Sequence, residues 1–164
     1  MLNLSKETIY QHLKSVKDPE VPVIDVVELG VVRDVRIEGD SVAIDLTPTY
    51  SGCPAMKVME TEILAALKAK GIEQVAVNTV LQPAWTTDWM SETARQKLKD
   101  YDIAPPDKVA AADLNPLNWE TKSVSCPFCD SAETDLTSQF GSTACKALYY
   151  CNGCQQPFEH FKCI

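Results

Sequence analysis

The sequence is poor in positive charge and in histidine. It has 15 lysines and arginines against 23 aspartates and glutamates, a net charge of −8, and two histidines, His12 and His160. Because affinity for nucleic acid comes mostly from Lys and Arg contacts to phosphate, this balance argues against a nucleic-acid partner. Neither histidine lies in a recognisable catalytic motif, so no Ser/His/Asp or Cys–His set can be argued. We therefore expect neither a nucleic-acid-binding protein nor an unaided hydrolase.

Long apolar runs are missing as well. Charged residues interrupt every apolar stretch, so none approaches the ~20 residues that cross a bilayer. The first residues, "MLNLSKETIYQHL", lack the basic start and apolar block of a secretory signal. We therefore expect no membrane partner and a cytoplasmic location. Thiols stay reduced there, which makes paired cysteines more often metal ligands than disulfides.

Apolar periodicity predicts an α+β fold for the first hundred residues. Ser5 is a helix cap, "ELGVVRDVRIEGDSVAIDLTPT" alternates as two strands of a hairpin, and Pro54 opens an amphipathic helix that Gly71 can close. "EQVAVNTVL" predicts a third strand. A last helix is predicted over 91–101, with Tyr101 facing inward. The predicted architecture is a small β-sheet with helices packed on it.

A shift in composition divides the chain. The segment "DIAPPDKVAAADLNPLNWETK" holds three prolines and no sustained periodicity, although Trp119 suggests that its last part docks on something. We predict an α+β domain over 1–102, a linker over 103–122 and a cysteine-rich module over 123–164. A module of this size rarely folds by core burial alone and usually needs a metal or a covalent link.

Two C-x-x-C motifs predict the metal. Cys126 and Cys129 form the first pair and Cys151 and Cys154 the second, at a separation that lets four thiolates close a tetrahedral shell around zinc. The residues between them alternate as the β-hairpin of a zinc ribbon. Iron in a rubredoxin-like site would use the same ligands. A closed shell has no open coordination position, so the predicted role is structural.

Two further cysteines of the module, Cys145 and Cys163, leave alternatives open. They are either small buried hydrophobes, as most free cysteines are, or a second thiol site, with or without Cys53. As a dithiol pair they would make the chain a redox enzyme, which requires Cα atoms within roughly 7 Å.

Cys53 stands alone in "TPTYSGCPAM", directly before the helix that Pro54 opens. A helix N-terminus lowers the pKa of a thiol, so the position predicts either a nucleophile or soft-metal ligand, or else an inert capping thiol. Asp18 and Glu20, in "DPEVPV", are interpreted by themselves as a solvated acid pair after a helix. Trp85 and Trp89 fit core packing better than a ligand platform.

Three motifs in register carry a resemblance. "DPEVPVIDVVELGVV", "TPTYSGCP" and "QPAWTTDWMSETARQKL" resemble the iron–sulfur cluster assembly domain family, which includes SufT and the MIP-type assembly factors. The tail "FGSTACKALYYCNGCQQPFEHFKCI" is similar to PaaD-type (PaaJ) phenylacetate-degradation proteins. Together the two resemblances cover almost the whole chain.

The resemblance implies a compact α+β domain in which Cys53 is the functional thiol for iron or iron–sulfur species. It implies that Asp18 and Glu20 lie in the same region, and it raises the hypothesis of a tryptophan lid over Cys53. PaaD-type members are implied to serve aerobic phenylacetate breakdown. There a di-iron oxygenase epoxidises phenylacetyl-CoA with electrons from a reductase that carries flavin and a [2Fe–2S] cluster.

Two functions follow from these patterns. The first is an accessory maturation factor that delivers a cluster or iron to a component of the phenylacetyl-CoA epoxidase, the reductase above all, with Cys53, Cys145 and Cys163 as transient ligands. The second is a non-catalytic binding subunit of the oxygenase complex. The chain has no Glu-x-x-His pair for a di-iron site, so we expect an accessory protein rather than an enzyme.

Overall fold

A computed structural model of the chain describes residues 4–107 and 123–162. By contacts between residues the chain divides into two compact units, 1–91 and 92–164. The first unit contains helix α1 (Lys6–Leu13), strands β1 (Val32–Glu38) and β2 (Ser41–Leu46), helix α2 (Ala55–Lys68), strand β3 (Gln74–Thr79) and a 3-10 turn (Thr87–Trp89). The second contains helix α3 (Glu92–Asp100) and strands β4 (Ile103–Ala104), β5 (Thr134–Ser138), β6 (Lys146–Cys151) and β7 (Pro157–Phe161). None of the helices described is long and apolar enough to span a membrane.

The first unit is built on a three-stranded sheet in the order β1-β2-β3. Strands β1 and β2 form the predicted antiparallel hairpin, and Gly39 takes a φ of 61° in the turn between them. Strand β3 pairs parallel to β2 because α2 carries the chain back across the sheet before it begins. The buried face of β2 and the inner face of α2 supply the core: Val42, Ile44, Leu46, Met59, Ile63 and Leu67.

Helix starts follow the sequence closely in this unit. The hydroxyl of Ser5 accepts the N–H of Thr8 at 3.2 Å, so the predicted cap of α1 is confirmed. Pro54 directly precedes α2. Met56 and Ala66, which the periodicity also placed on the apolar stripe of α2, are only half-buried.

The two tryptophans of the first unit pack against the segment before β1. The indole N–H of Trp85, a buried ring, donates to the Leu29 carbonyl at 3.1 Å, and the Arg33 guanidinium lies 3.5 Å from the centroid of Trp89. Gly30 has a φ of 76°, and a Cβ at this position would collide with the backbone of Trp89. These contacts account for the packing of both rings, and a lid over Cys53 stays a prediction.

The second unit is a four-stranded sheet in the order β4-β7-β6-β5. Strands β5, β6 and β7 pair antiparallel, and β4 joins β7 in parallel. The core gathers small and aromatic residues around the two inner cysteines: Ala104, Val124, Cys126, Ala147, Tyr149, Cys151 and Phe158.

Three predictions need comment in this unit. Ile103 and Ala104, expected in a linker, form β4, because their backbone completes the edge of the cysteine module's sheet. Tyr101, expected to face inward, is 50% exposed because α3 already ends at Asp100 and leaves it in the following turn. The rest of the predicted linker, 108–122 with Trp119, lies outside the described residues. The domain limits 1–102, 103–122 and 123–164 stay a prediction.

Candidate functional site

The four cysteines of the C-x-x-C motifs converge at one end of the second sheet. Cys126 and Cys129 lie in the turn before β5, Cys151 ends β6, and Cys154 lies in the turn that leads to β7. The residue after each motif, Asp130 or Gln155, takes a left-handed φ of 58° or 59°. This tight reversal after the second cysteine lets both thiols of a pair face the same point.

The sulfur positions fit a tetrahedral metal ion. All four Sγ atoms lie within 4.8 Å of one another, with Cys126 to Cys154 at 3.7 Å and Cys129 to Cys151 at 3.6 Å. A zinc–sulfur bond of about 2.3 Å in a tetrahedral shell places the sulfurs about 3.8 Å apart. The cluster is therefore a metal-binding site whose donors leave no position for a substrate.

Backbone groups around this cluster favour thiolates. The N–H of Cys154 points at the sulfur of Cys151 at 3.5 Å, and this hydrogen bond is the main reason that the pKa of Cys151 falls to about 7. The first turn is held in place by an ion pair of 2.6 Å between Lys99 of α3 and Asp130. Both features hold the ligands ready for a metal ion.

Cys53 is a buried thiol at the start of α2, with 8% of its surface exposed. Burial raises its pKa above the ordinary value, and the nearby charges of Glu20 and Asp18 raise it further. The N–H of Ala55 and the hydroxyl of Tyr50 act in the opposite direction. The expectation that the helix N-terminus lowers this pKa is therefore wrong in sign, because desolvation outweighs the N–H contact.

Asp18 and Glu20 differ in their surroundings. Asp18 is 6% exposed, and its Oδ1 accepts the N–H groups of Glu20 and Val21, both at 2.8 Å. The interpretation as a solvated pair is thus wrong for Asp18, whose carboxylate caps the turn after α1. Glu20 is half-buried or more open to solvent than Asp18 and accepts a hydrogen bond from the hydroxyl of Tyr50 at 3.5 Å.

The structure thus places Asp18, Glu20 and Cys53 within electrostatic reach of one another, and it adds Tyr50. Tyr50 lies inside the "TPTYSGCP" motif, so its proximity to Cys53 in sequence was a signal that sequence reasoning did not use. The four-cysteine cluster is the sole group of three or more metal ligands found among the described residues. A metal or cluster bound at Cys53 would therefore need ligands from elsewhere, and the role of these residues stays a prediction.

Cys145 is buried in the loop before β6. Its sulfur lies 3.1 Å from the Thr143 hydroxyl, and its carbonyl accepts the N–H of Lys162 at 2.9 Å. Cys163 lies outside the described residues. A second thiol site that includes Cys145 and Cys163, as well as the dithiol alternative, therefore stays a prediction.

Comparison with protein families agrees with both halves of this description. Residues 6–80 match the family model of iron–sulfur cluster assembly proteins, and residues 111–162 match that of the PaaD zinc beta ribbon domain. The fold and the four-cysteine cluster thus define a two-part protein, an assembly-type domain followed by a zinc ribbon.

Individual relatives make the assignment narrower. The chain is 46% identical over 157 residues to an Escherichia coli (strain K12) protein whose name makes it a candidate subunit of 1,2-phenylacetyl-CoA epoxidase, covering 95% of this chain and 92% of the relative. The chain belongs to the PaaD family.

The first unit also has relatives and structural neighbours of its own. The chain is 38% identical to the Fe-S protein maturation auxiliary factor YitW of Bacillus subtilis (strain 168), over 55% of this chain and 89% of that protein. A crystal structure of a domain of unknown function (DUF59) from Bacillus anthracis superposes with a TM-score of 0.54 at 31% identity, covering 57% of this chain and 90% of that one. The fold of this first unit is therefore one that maturation factors use.

Proposed function

We propose that this chain is a cytoplasmic accessory factor that matures the phenylacetyl-CoA epoxidase system of aerobic phenylacetate breakdown. In this proposal it assists delivery of an iron–sulfur cluster or iron to a component of that system, with the flavin/[2Fe–2S] reductase as the client. The observation that carries the proposal is the combination of a PaaD zinc ribbon with a domain similar to Fe-S maturation factors in one chain.

Cys53 is the proposed ligand for the cargo. Iron–sulfur clusters are held by thiolates, and transfer requires ligands that can be exchanged. The zinc-ribbon cysteines already fill a closed shell with one another, whereas Cys53 sits apart from them in the assembly domain. A site that supplies fewer than three ligands of its own binds cargo less firmly than a complete site, which suits transfer. The remaining thiolates come from the client, or from Cys145 and Cys163.

Asp18 and Glu20 have different parts in this proposal. Asp18 holds the turn that carries Glu20 through its two N–H contacts. Glu20, hydrogen-bonded to Tyr50, supplies a carboxylate beside the thiol that disfavours its ionisation until a cation arrives. A positively charged iron species reverses that effect, because metal binding replaces the thiol proton.

The zinc ribbon has a structural part in the same proposal. We assign zinc rather than iron to Cys126, Cys129, Cys151 and Cys154, in line with the zinc-ribbon match over 111–162. A structural zinc site contributes folding free energy directly and leaves no open coordination position. Its four thiolates shape the second unit and take no part in transfer.

The test uses cells that lack this protein and carry either wild type or Cys53→Ser. Iron, acid-labile sulfide and the visible spectrum are measured on reductase purified from each strain. We expect a loss of most of the [2Fe–2S] content with Cys53→Ser and none with Ser51→Ala, an exposed neighbour in the same loop. Reductase with full cluster content in the Cys53→Ser strain contradicts the proposal.

The second candidate function is a non-catalytic binding subunit of the oxygenase complex. It is favoured by the name of the Escherichia coli relative, which is that of an epoxidase subunit. Co-purification with the oxygenase subunits at a fixed ratio, together with normal epoxidase activity of the Cys53→Ser strain, would select this function. Transient association and a cluster-deficient reductase would select maturation.

A further inference from the structure

The two edges of the three-stranded sheet differ sharply in chemistry. Strand β1, "VRDVRIE", has four charged side chains among its seven residues. Strand β3, "QVAVNT", has no charge, no proline and no glycine. Charged side chains and proline are the usual protection of an exposed sheet edge against pairing with another chain. The β1 edge is protected in this way and the β3 edge is not.

Backbone geometry shows which groups of β3 face outward. Val80 donates its N–H to the Leu46 carbonyl at 2.7 Å, in register with the parallel pairing of β2 and β3. Because the N–H and C=O of a strand residue point to one side and alternate along the strand, Ala76 and Asn78 also bond toward β2. Val75, Val77 and Thr79 therefore present their backbone groups at the outer edge. Within the part of the chain that the structure describes, no strand lies on that side.

A protruding apolar side chain and a hollow lie at opposite ends of this strand. Leu81, two residues beyond β3, is 57% exposed. At the beginning of β3 the surface has a hollow of about 300 Å³, lined by Leu4, Asp40, Gly71, Ile72, Glu73 and Gln74. An antiparallel arrangement of two such strands brings the end of each beside the beginning of the other.

We propose that two copies of this chain pair through β3, antiparallel about a two-fold axis at Ala76. In this register Val75 lies opposite Val77 of the second copy and Gln74 lies opposite Asn78. Leu81 of each copy lies opposite Gly71 of the other and enters its hollow. The two three-stranded sheets become one continuous sheet, and the same patch serves both copies, as an isologous interface requires.

The symmetry itself supports this register. Residues directly opposite in an antiparallel pair point to the same face of a sheet, so a two-fold axis must pair side chains from one face. Centring on Ala76 pairs the half-buried valines with each other and the exposed amides with each other. It also brings the outward backbone groups of Val75 and Val77 face to face, so that they form hydrogen-bonded pairs. No charged side chain of β3 opposes this approach, although the whole chain has a net charge of −8.

The first test measures the mass of the full chain, with its metal, by sedimentation velocity over a wide concentration range. We expect a concentration-dependent dimer for wild type. Leu81→Asp removes the apolar group that fills the hollow, and we expect at least a roughly tenfold weaker dimer. Val58→Asp is the matched control, since Val58 is 43% exposed on α2 and should leave the dimer unchanged.

The second test addresses the register by charge. Gln74→Lys with Asn78→Lys places like charges opposite each other twice across the axis, whereas Gln74→Glu with Asn78→Lys places opposite charges there. We expect the first double variant to weaken the dimer roughly tenfold and the second to restore it. Hydrogen exchange should show that the amides of Val75 and Val77 become protected as dimer forms.

Three outcomes overturn the proposal. One is a monomer at every concentration with fast exchange at Val75 and Val77, which would leave the edge to a strand of another protein. Another is a dimer that Leu81→Asp does not weaken. The third is a dimer that responds equally to both charge variants, since pairing through this edge requires them to differ.

Discussion

The hydroxyl of Tyr50 donates a hydrogen bond to Oε1 of Glu20 across 3.5 Å, and the two groups act in opposite directions on the thiol of Cys53. The negative charge of Glu20 raises the pKa of Cys53, whereas the Tyr50 hydroxyl lowers it. Burial adds the largest effect, in the direction of Glu20. The reactivity of this thiol is therefore set by its neighbours and by its poor contact with water.

The first prediction concerns the pH dependence of Cys53. The thiolate fraction grows as pH rises through the pKa, so a variant with a lower pKa reacts faster at any pH below it. Glu20→Gln removes a charge that raises the pKa, and Tyr50→Phe removes a donor that lowers it. We expect alkylation of the Cys53 peptide, followed by mass spectrometry, to become a few-fold faster in Glu20→Gln and slower in Tyr50→Phe, by roughly similar factors.

The control for this experiment is Glu62→Gln, which removes an exposed charge from α2. Its rate should match that of wild type at each pH. Equal rates for Glu20→Gln and Tyr50→Phe would mean that neither group acts on the thiol as described.

The second prediction separates the shape of Asp18 from its charge. Its Oδ1 accepts two backbone N–H groups in a buried turn, which an asparagine oxygen can also do. Asp18→Ala leaves these donors without their acceptor, so we expect a loss of about 1–3 kcal/mol in the free energy of unfolding. Asp18→Asn should lose clearly less in the same urea titration. If the two variants are equally destabilised, the charge of Asp18 matters more than its acceptor geometry.

The third prediction concerns removal of the metal. Cys151→Ser breaks the four-sulfur shell, and we expect metal analysis to fall from about one zinc per chain to about none. Without the ion, we expect the sheet of β5, β6 and β7 to lose its hydrogen-exchange protection, because a small module depends on its metal for folding. Cys145→Ser is the control and should keep the zinc, since Cys145 is not in the cluster. Full zinc occupancy in Cys151→Ser would contradict the assignment.

Local patterns were enough to predict much of this molecule. The spacing of the four C-x-x-C cysteines requires a turn on each side and a shared centre, and the structure has both. The hairpin of β1 and β2 and the helix after Pro54 follow from periodicity and from turn and cap residues close in sequence. Such features are decided by neighbours a few positions apart, which a sequence displays directly.

Other features depend on residues far apart in sequence and were not visible. The raised pKa of Cys53 comes from burial, which depends on what packs over the start of α2. Lys146 is buried beside Glu159, at 3.3 Å, although lysine has no tendency to be inside. Strand β4 has only two residues, and β7, its partner, lies near the other end of the unit, so no local pattern could mark it.

That short strand limits how portable the zinc ribbon is. The matched ribbon region begins at residue 111, yet Ile103 and Ala104 supply the outermost strand of its sheet, and the Ala104 carbonyl lies 3.2 Å from Nδ1 of His160. A fragment cut at Ser123 would expose the bare flank of β7 and leave His160 without this neighbour. Engineered fusions that borrow the ribbon should therefore begin at α3, because a segment upstream of the first metal ligand already belongs to its architecture.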